Sequence, residues 1–169
     1  MWQCLQGLTR SCAASCGIRR VAPVALAVIM AVGIVVSASA GPADEARALY
    51  SRFVAAQNAR DLETVRSLFL ASPDFLWVSD GMSVWGPDAT IDRMSLFQTA
   101  EIWTVEPNLA QSVAVAVDDR SAFLHLPLVL TIGPRRSPVR LAFLVTMLCR
   151  ETPQGWRIAG LFTTTEKAN

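Results

Sequence analysis

Asp74-Phe75-Leu76-Trp77-Val78-Ser79-Asp80-Gly81-Met82-Ser83-Val84-Trp85-Gly86 reads as a complete β-hairpin, and the rest of the chain is organised around it. Residues 75–79 and 82–86 are two strand-like runs. Asp80-Gly81 between them is a pair that tolerates positive φ at both central positions of a type I′ turn. That turn sets the register: Ser79 faces Met82, Val78 faces Ser83, Trp77 faces Val84 and Leu76 faces Trp85. The two tryptophans then stand on opposite faces of the ribbon, so one face can line a cavity while the other packs.

Helical periodicity brackets the hairpin. Pro42, Asp44 and Glu45 suit a helix start, where proline is tolerated and acids favour the macrodipole. Ala46, Leu49, Tyr50, Phe53, Val54 and Gln57 follow at helical spacing, with Arg47, Ser51, Arg52 and Asn58 on the exposed face. Asp61 is the N-cap of a second helix over residues 62–70, with Leu62, Val65, Leu68 and Phe69 on one side and Ser72-Pro73 as its stop. Pro87 and Asp88 open a third helix to residue 100, with Ile91, Met94 and Phe97 inward. From Trp103 the period changes from 3.6 to 2. Residues 102–118 form a strand region bent or bulged at Glu106-Pro107, because proline cannot donate to a central ladder. Strands over 122–132, 139–150 and 156–165 follow, joined by short polar turns. Helices first and an antiparallel meander second make the class α+β. There is no internal repeat and no low-complexity linker, so one domain is expected.

The 52% hydrophobic content of the 169 residues is concentrated at the front. Residues 1–20 contain Arg10, Arg19, Arg20 and no acid, residues 21–36 are almost uninterrupted apolar sequence, and Ser37-Ala38-Ser39-Ala40 precedes Gly41-Pro42. These are the n-region, h-region and Ala-x-Ala-like site of a secretory signal, with cleavage expected after Ala40 and a mature domain over 41–169. The alternative is an uncleaved anchor over 21–40, the only contact with a membrane the sequence offers. Either way the folded part is expected outside the cytoplasm, periplasmic or secreted, since the positive flank precedes the apolar run. Of 15 Lys+Arg and 14 Asp+Glu, three arginines precede the cut and every acid follows it, leaving 12 against 14. Apart from Arg135-Arg136 no basic run remains, which argues against nucleic acid as a partner. Cys4, Cys12 and Cys16 lie in the leader, so Cys149 has no partner for an internal disulfide and reads as a small buried hydrophobe in an apolar strand.

Leu49-Tyr50-Ser51-Arg52-Phe53-Val54 followed by Asn58-Ala59-Arg60-Asp61-Leu62, then the hairpin, then Gly86-Pro87-Asp88-Ala89 and Gly155-Trp156-Arg157-Ile158, form an ordered set. Its order and spacing resemble the nuclear transport factor 2-like superfamily, which includes ketosteroid isomerase and the SnoaL-like polyketide cyclases. The resemblance covers residues 44–165. It implies a cone, with a strongly bent antiparallel sheet wrapped around three N-terminal helices and an apolar pocket at the open end. Isomerases, cyclases, dehydratases, ligand-binding modules and interaction domains share that fold, so the resemblance speaks to architecture and not to one activity.

Asp80 is the sharpest catalytic candidate. The resemblance sets it close to the general-base aspartate of ketosteroid isomerases, and a carboxylate in an apolar mouth acquires a raised pKa suited to proton abstraction. The competing reading is an Asp-Gly turn residue chosen for backbone geometry. By the same resemblance, the enolate-stabilising tyrosine of those enzymes falls at or near Phe53 and their protonated aspartate near Thr146, which leaves an enolising base without oxyanion donors. His125, the only histidine, shares a strand face with Phe123, Pro127, Val129 and Thr131, as a structural residue or a ligand contact. Alone it cannot build a multi-histidine metal site. Tyr50, the only tyrosine, is placed to donate into a cavity or to cap one. Trp77, Trp85 and Trp103 suit an aromatic-lined pocket or ordinary packing. The candidate ligand set is therefore Tyr50, Phe53, Trp77, Trp85, Trp103, His125 and Thr146. No nucleophile elbow, P-loop or dinucleotide fingerprint is present, and neither metal nor cofactor is expected.

These readings lead to an exported domain that binds a small, largely apolar molecule. The alternatives are an isomerase-, cyclase- or dehydratase-type enzyme using Asp80, and an interaction module with a filled cone. Assembly follows from residues 139–150: Val139, Leu141, Phe143, Val145, Met147 and Cys149 form one face, and Ala142, Leu144, Thr146 and Leu148 most of the other. A strand apolar on both faces is covered on both sides, while the helices reach only the concave one. Relatives of this fold often pair through the sheet, so a two-fold homodimer is expected.

Overall fold

In the computed structural model, which describes residues 40–167, the hairpin forms in the expected register, Leu76 opposite Trp85 through Ser79 opposite Met82. Asp80 and Gly81 have φ of 53° and 71°, the positive values that a type I′ turn requires. The basic and apolar leader expected as an export signal over residues 1–40, or an anchor over 21–40, lies outside the described residues except for Ala40.

The hairpin strands β1 (Leu76–Ser79) and β2 (Met82–Trp85) follow helices α1 (Pro42–Asn58) and α2 (Leu62–Leu68) and precede α3 (Pro87–Phe97). Five strands come next: β3 (Ile102–Pro107), β4 (Val113–Asp118), β5 (Ser121–Gly133), β6 (Val139–Thr152) and β7 (Gly155–Thr165). The class is α+β, three helices against one seven-stranded sheet ordered β2-β1-β7-β6-β5-β3, with β4 also on β5. Among the described residues no helix is long and apolar enough to cross a membrane.

The sheet departs from a pure meander at one seam. β1 runs parallel to β7, from Leu76 opposite Gly160 to Ser79 opposite Thr163, so the sheet is mixed. Tight turns enforce antiparallel pairing only between strands they join, and β1 and β7 are distant in sequence. The region over 102–118 divides where Pro107 was expected to bend it. A short 3₁₀ turn at Leu109–Gln111 separates β3 from β4, and the two strands pair with opposite ends of β5. Two helices end earlier than their periodicity suggests. Phe69 leaves α2 to bridge Ile158 of β7, and α3 stops at Phe97, which faces the open end of the cone and is 39% exposed; Thr90 and Met94 are the buried residues of α3.

The core lies between α1 and the concave face of the sheet. Alternation decides which side chains reach it: Ala122, Leu124, Leu126 and Leu128 from β5, and Val145, Met147 and Cys149 from β6, are all buried against Ala46, Leu49 and Tyr50 of α1. Burial pushes the Cys149 thiol up to about 12, so it is an inert hydrophobe at neutral pH. An aromatic file closes the narrow end, running from Phe53 to Phe69 and on to Phe75 with ring centroids 5.7 and 4.4 Å apart.

The short link between α1 and α2 ties three elements together. The Asn58 side-chain amide donates to the Val105 carbonyl at 2.9 Å and accepts from the Val105 N–H at 2.7 Å, occupying the free edge of β3. Arg60, at φ 59°, donates from its guanidinium to the carbonyls of Gln98, Ala100 and Glu101 just past α3. Asp61 caps α2 by accepting from the Thr64 N–H at 2.9 Å and its hydroxyl at 2.6 Å; the hydroxyl bond is the main reason its carboxyl titrates below the ordinary value.

Candidate functional site

The open end of the cone holds a cavity of about 590 Å³. Inward positions of α1 supply Tyr50, Phe53 and Gln57, one helical turn apart; β1 and its turn supply Trp77 and Asp80; α3 supplies Arg93, Met94 and Phe97. The sheet wall is made by the inward alternation of Trp103, Leu128, Phe143, Val145 and Leu161.

Four of the expected ligand residues, Tyr50, Phe53, Trp77 and Trp103, meet in this cavity, and Asp80 lies at its exposed rim on the hairpin turn. Three do not. Trp85 is on the opposite face of the hairpin and 59% exposed, as the register itself requires. His125 and Thr146 face each other across β5 and β6 on the convex side of the sheet, where Nδ1 and Oγ1 are 2.9 Å apart. The inward neighbours of Thr146 are Val145 and Met147, both apolar. Arg93 is the cavity residue that the helical reading did not single out. Its spacing carries a signal, since it falls three residues after Thr90 and four before Phe97, on the flank of the inward stripe.

The cavity lining is mainly apolar, with Gln57, Ser79, Thr163, Thr164 and Thr165 among its polar side chains. Desolvation by burial raises the Tyr50 pKa, so the phenol remains a neutral donor at any working pH. Asp80 and Arg93 are the two charged residues on the lining, and no ion pair joins them. The Arg93 guanidinium carbon sits 5.6 Å from the Trp77 ring centroid and 5.4 Å from that of Phe97, and Nη1 donates to the Met82 sulfur at 3.2 Å. Arg93 Nε, Trp77 Nε1 and Trp103 Nε1 are buried without a hydrogen-bond acceptor in the protein. Such an arrangement suits a molecule with an apolar body.

A SnoaL-like domain model matches residues 46–161. The fold is similar to that of an uncharacterised protein with a cystatin-like fold from Caulobacter vibrioides, at 22% identity and TM-score 0.64, covering 75% of this chain and 90% of that one. It is also similar to a nuclear transport factor 2-like superfamily protein from Salmonella enterica serovar Typhimurium, at 14% identity and TM-score 0.66, covering 75% and 92%. A nuclear transport factor 2-like protein with a cystatin-like fold from Novosphingobium aromaticivorans matches at 16% identity and TM-score 0.62, covering 76% and 84%. At these identities the likeness is one of fold. No curated protein sequence matches the chain.

Proposed function

The chain belongs to the SnoaL-like domain family, and from that premise we propose that it binds a small, largely apolar molecule in the open end of its cone. The observation that carries this reading is the cavity itself. Its volume of about 590 Å³ falls in the range of small-molecule sites, and its wall is aromatic and aliphatic where a filled cone would carry core side chains. Trp77 and Trp103 on the lining make binding visible as a change in intrinsic fluorescence. Native mass spectrometry of the purified protein is expected to show a co-purifying small molecule or uptake of an added apolar one. Val145→Trp, which directs an indole into the same space, should abolish both signals. A wild-type protein that takes up nothing, and that Val145→Trp destabilises by overpacking, would identify a filled interaction module instead.

A second reading rests on Asp80, the only carboxylate on the cavity lining among the described residues. In this reading Asp80 abstracts a proton and Tyr50, a neutral phenol one helical turn before Phe53, donates to the oxyanion that develops. Asp80→Asn keeps a residue that tolerates the left-handed conformation, so it should abolish turnover of an enolisable substrate at unchanged melting temperature. Asp80→Val places a β-branched residue at φ 53° and should cost about 1–2 kcal/mol of stability. Turnover that survives Asp80→Asn removes the catalytic reading and leaves Asp80 as a turn residue.

The proposal extends to assembly and location. A homodimer through the convex face is supported by the exposure there of Val113 and Val115 on β4, Leu148 on β6 and Phe162 on β7, apolar side chains on the side of the sheet away from the helices. Export rests on the composition of residues 1–40 alone.

A further inference from the structure

The polar groups of the cavity are unbalanced. Arg93 reaches over the mouth between two aromatic rings, with one nitrogen on a thioether sulfur, a weak acceptor, and its buried Nε on nothing. The four ion pairs of the described residues use Arg47, Arg66, Arg120 and Arg140, and none uses Arg93. Trp77 and Trp103, two residues of the cavity lining, each bury an indole N–H that also lacks an acceptor in the protein. Buried donors are nearly always satisfied, and a guanidinium nitrogen withdrawn from water is among the costliest to leave unpaired. Asp80 does not balance them: it is exposed on the turn, without an ion pair to Arg93. Elsewhere the lining carries no charge: Phe53, Leu128, Phe143 and Leu161 give it an apolar stretch, and Gln57, Ser79 and three threonines add neutral polar groups.

We propose that the molecule this cavity takes is an amphipathic carboxylic acid, whose carboxylate pairs with Arg93 at the mouth and whose hydrocarbon body lies along the apolar wall. This rests on the reading of the cavity as a ligand site and adds the ligand's charge and head group. The planar guanidinium suits two carboxylate oxygens. The rings of Trp77 and Phe97 hold it in place without neutralising it, because a cation–π contact leaves its N–H edge available. The half-buried setting strengthens the pairing relative to one on an open surface.

The test compares decanoic acid with decanamide, equal in chain length and different in charge, by fluorescence and calorimetric titration of the purified protein at pH 7.5. Wild type is expected to bind decanoate roughly tenfold or more tighter than decanamide, the scale of one charge-assisted pairing. Arg93→Gln should erase that preference. Arg93→Lys, which retains the charge, should keep part of the preference, and thermal melting shows whether either variant is folded. Equal wild-type affinity for acid and amide overturns the proposal and leaves the apolar-ligand reading standing, whatever the variants do. An acid preference that survives Arg93→Gln in a folded protein overturns it as well. Absence of binding by both probes overturns it together with the cavity reading on which it rests.

Discussion

Leu148→Glu is expected to convert the proposed homodimer into a soluble, folded monomer. Leu148 lies on the convex face, 41% exposed in the single chain, so the substitution removes no core packing. Ladder register sets its surroundings: Phe123 is opposite on β5, Gly160 on β7, and Val115 lies beyond Phe123 on β4. Gly160 has a packing role there. A Cβ at that position would stand 3.1 Å from the Phe162 ring, so the missing side chain lets that ring lie across β7 towards Leu148. In an isologous contact the substitution acts twice, placing two unpaired carboxylates in a surface taken out of water. Several kcal/mol of such desolvation exceeds what a modest apolar interface returns. Light scattering across the micromolar range measures the outcome. A wild-type protein already monomeric at high micromolar concentration would refute the dimer.

Asn58→Ala should have the largest effect on stability of any substitution outside the core. The Asn58 amide imitates a neighbouring strand, satisfying both backbone groups of Val105 on the edge of β3 that β5 leaves unpaired. Val105 is buried at 6% exposure, so loss of the amide strands a donor and an acceptor together. At about 1–1.5 kcal/mol for each bond the cost is about 2–3 kcal/mol, and melting falls by roughly 6–12 °C. Asn58→Asp is the sharper control, since it keeps an acceptor for the Val105 N–H but turns an anionic oxygen towards the Val105 carbonyl. It should melt below wild type as well. Calorimetric scans in which Asn58→Ala melts within a degree or two of wild type would show that water replaces the amide without loss.

What was legible in the sequence was local. The Asp80-Gly81 turn, the Asp61 cap and the alternation of β5 and β6 involve neighbours along the chain, and each is found where periodicity and turn chemistry put it. The parallel seam between β1 and β7 depends on residues far apart, and no local pattern encodes it. The same limit hid the partners of Asn58, read as solvent-facing until β3 arrives, and those of Arg60 just past α3. Three of the expected ligand residues lie away from the cavity for a different reason. β6 is apolar on both faces, so alternation separates its residues into two sets without saying which set is inside; Thr146 and His125 belong to the outer one. Trp85 was excludable from the hairpin register alone, because Trp77 and Trp85 cannot line one cavity from opposite faces. Arg93 escaped because charge is ordinarily a mark of the wet side of a helix, whereas here the stem and guanidinium lie against Trp77 and Phe97.

The parallel seam also bears on the order in which the molecule assembles. Leu76 meets Gly160 across roughly eighty residues, a contact whose loop-closure entropy is met only once the intervening meander is in place. The meander zips through short turns, while the hairpin must wait for the last strand before it has an edge to dock on. Because that hairpin carries Trp77 and the Asp80 rim, the cavity wall closes last. During synthesis the cavity is incomplete until β7 emerges, and a chain truncated before Gly155 lacks the inner strand on which the hairpin docks, together with the core residues Ile158 and Leu161.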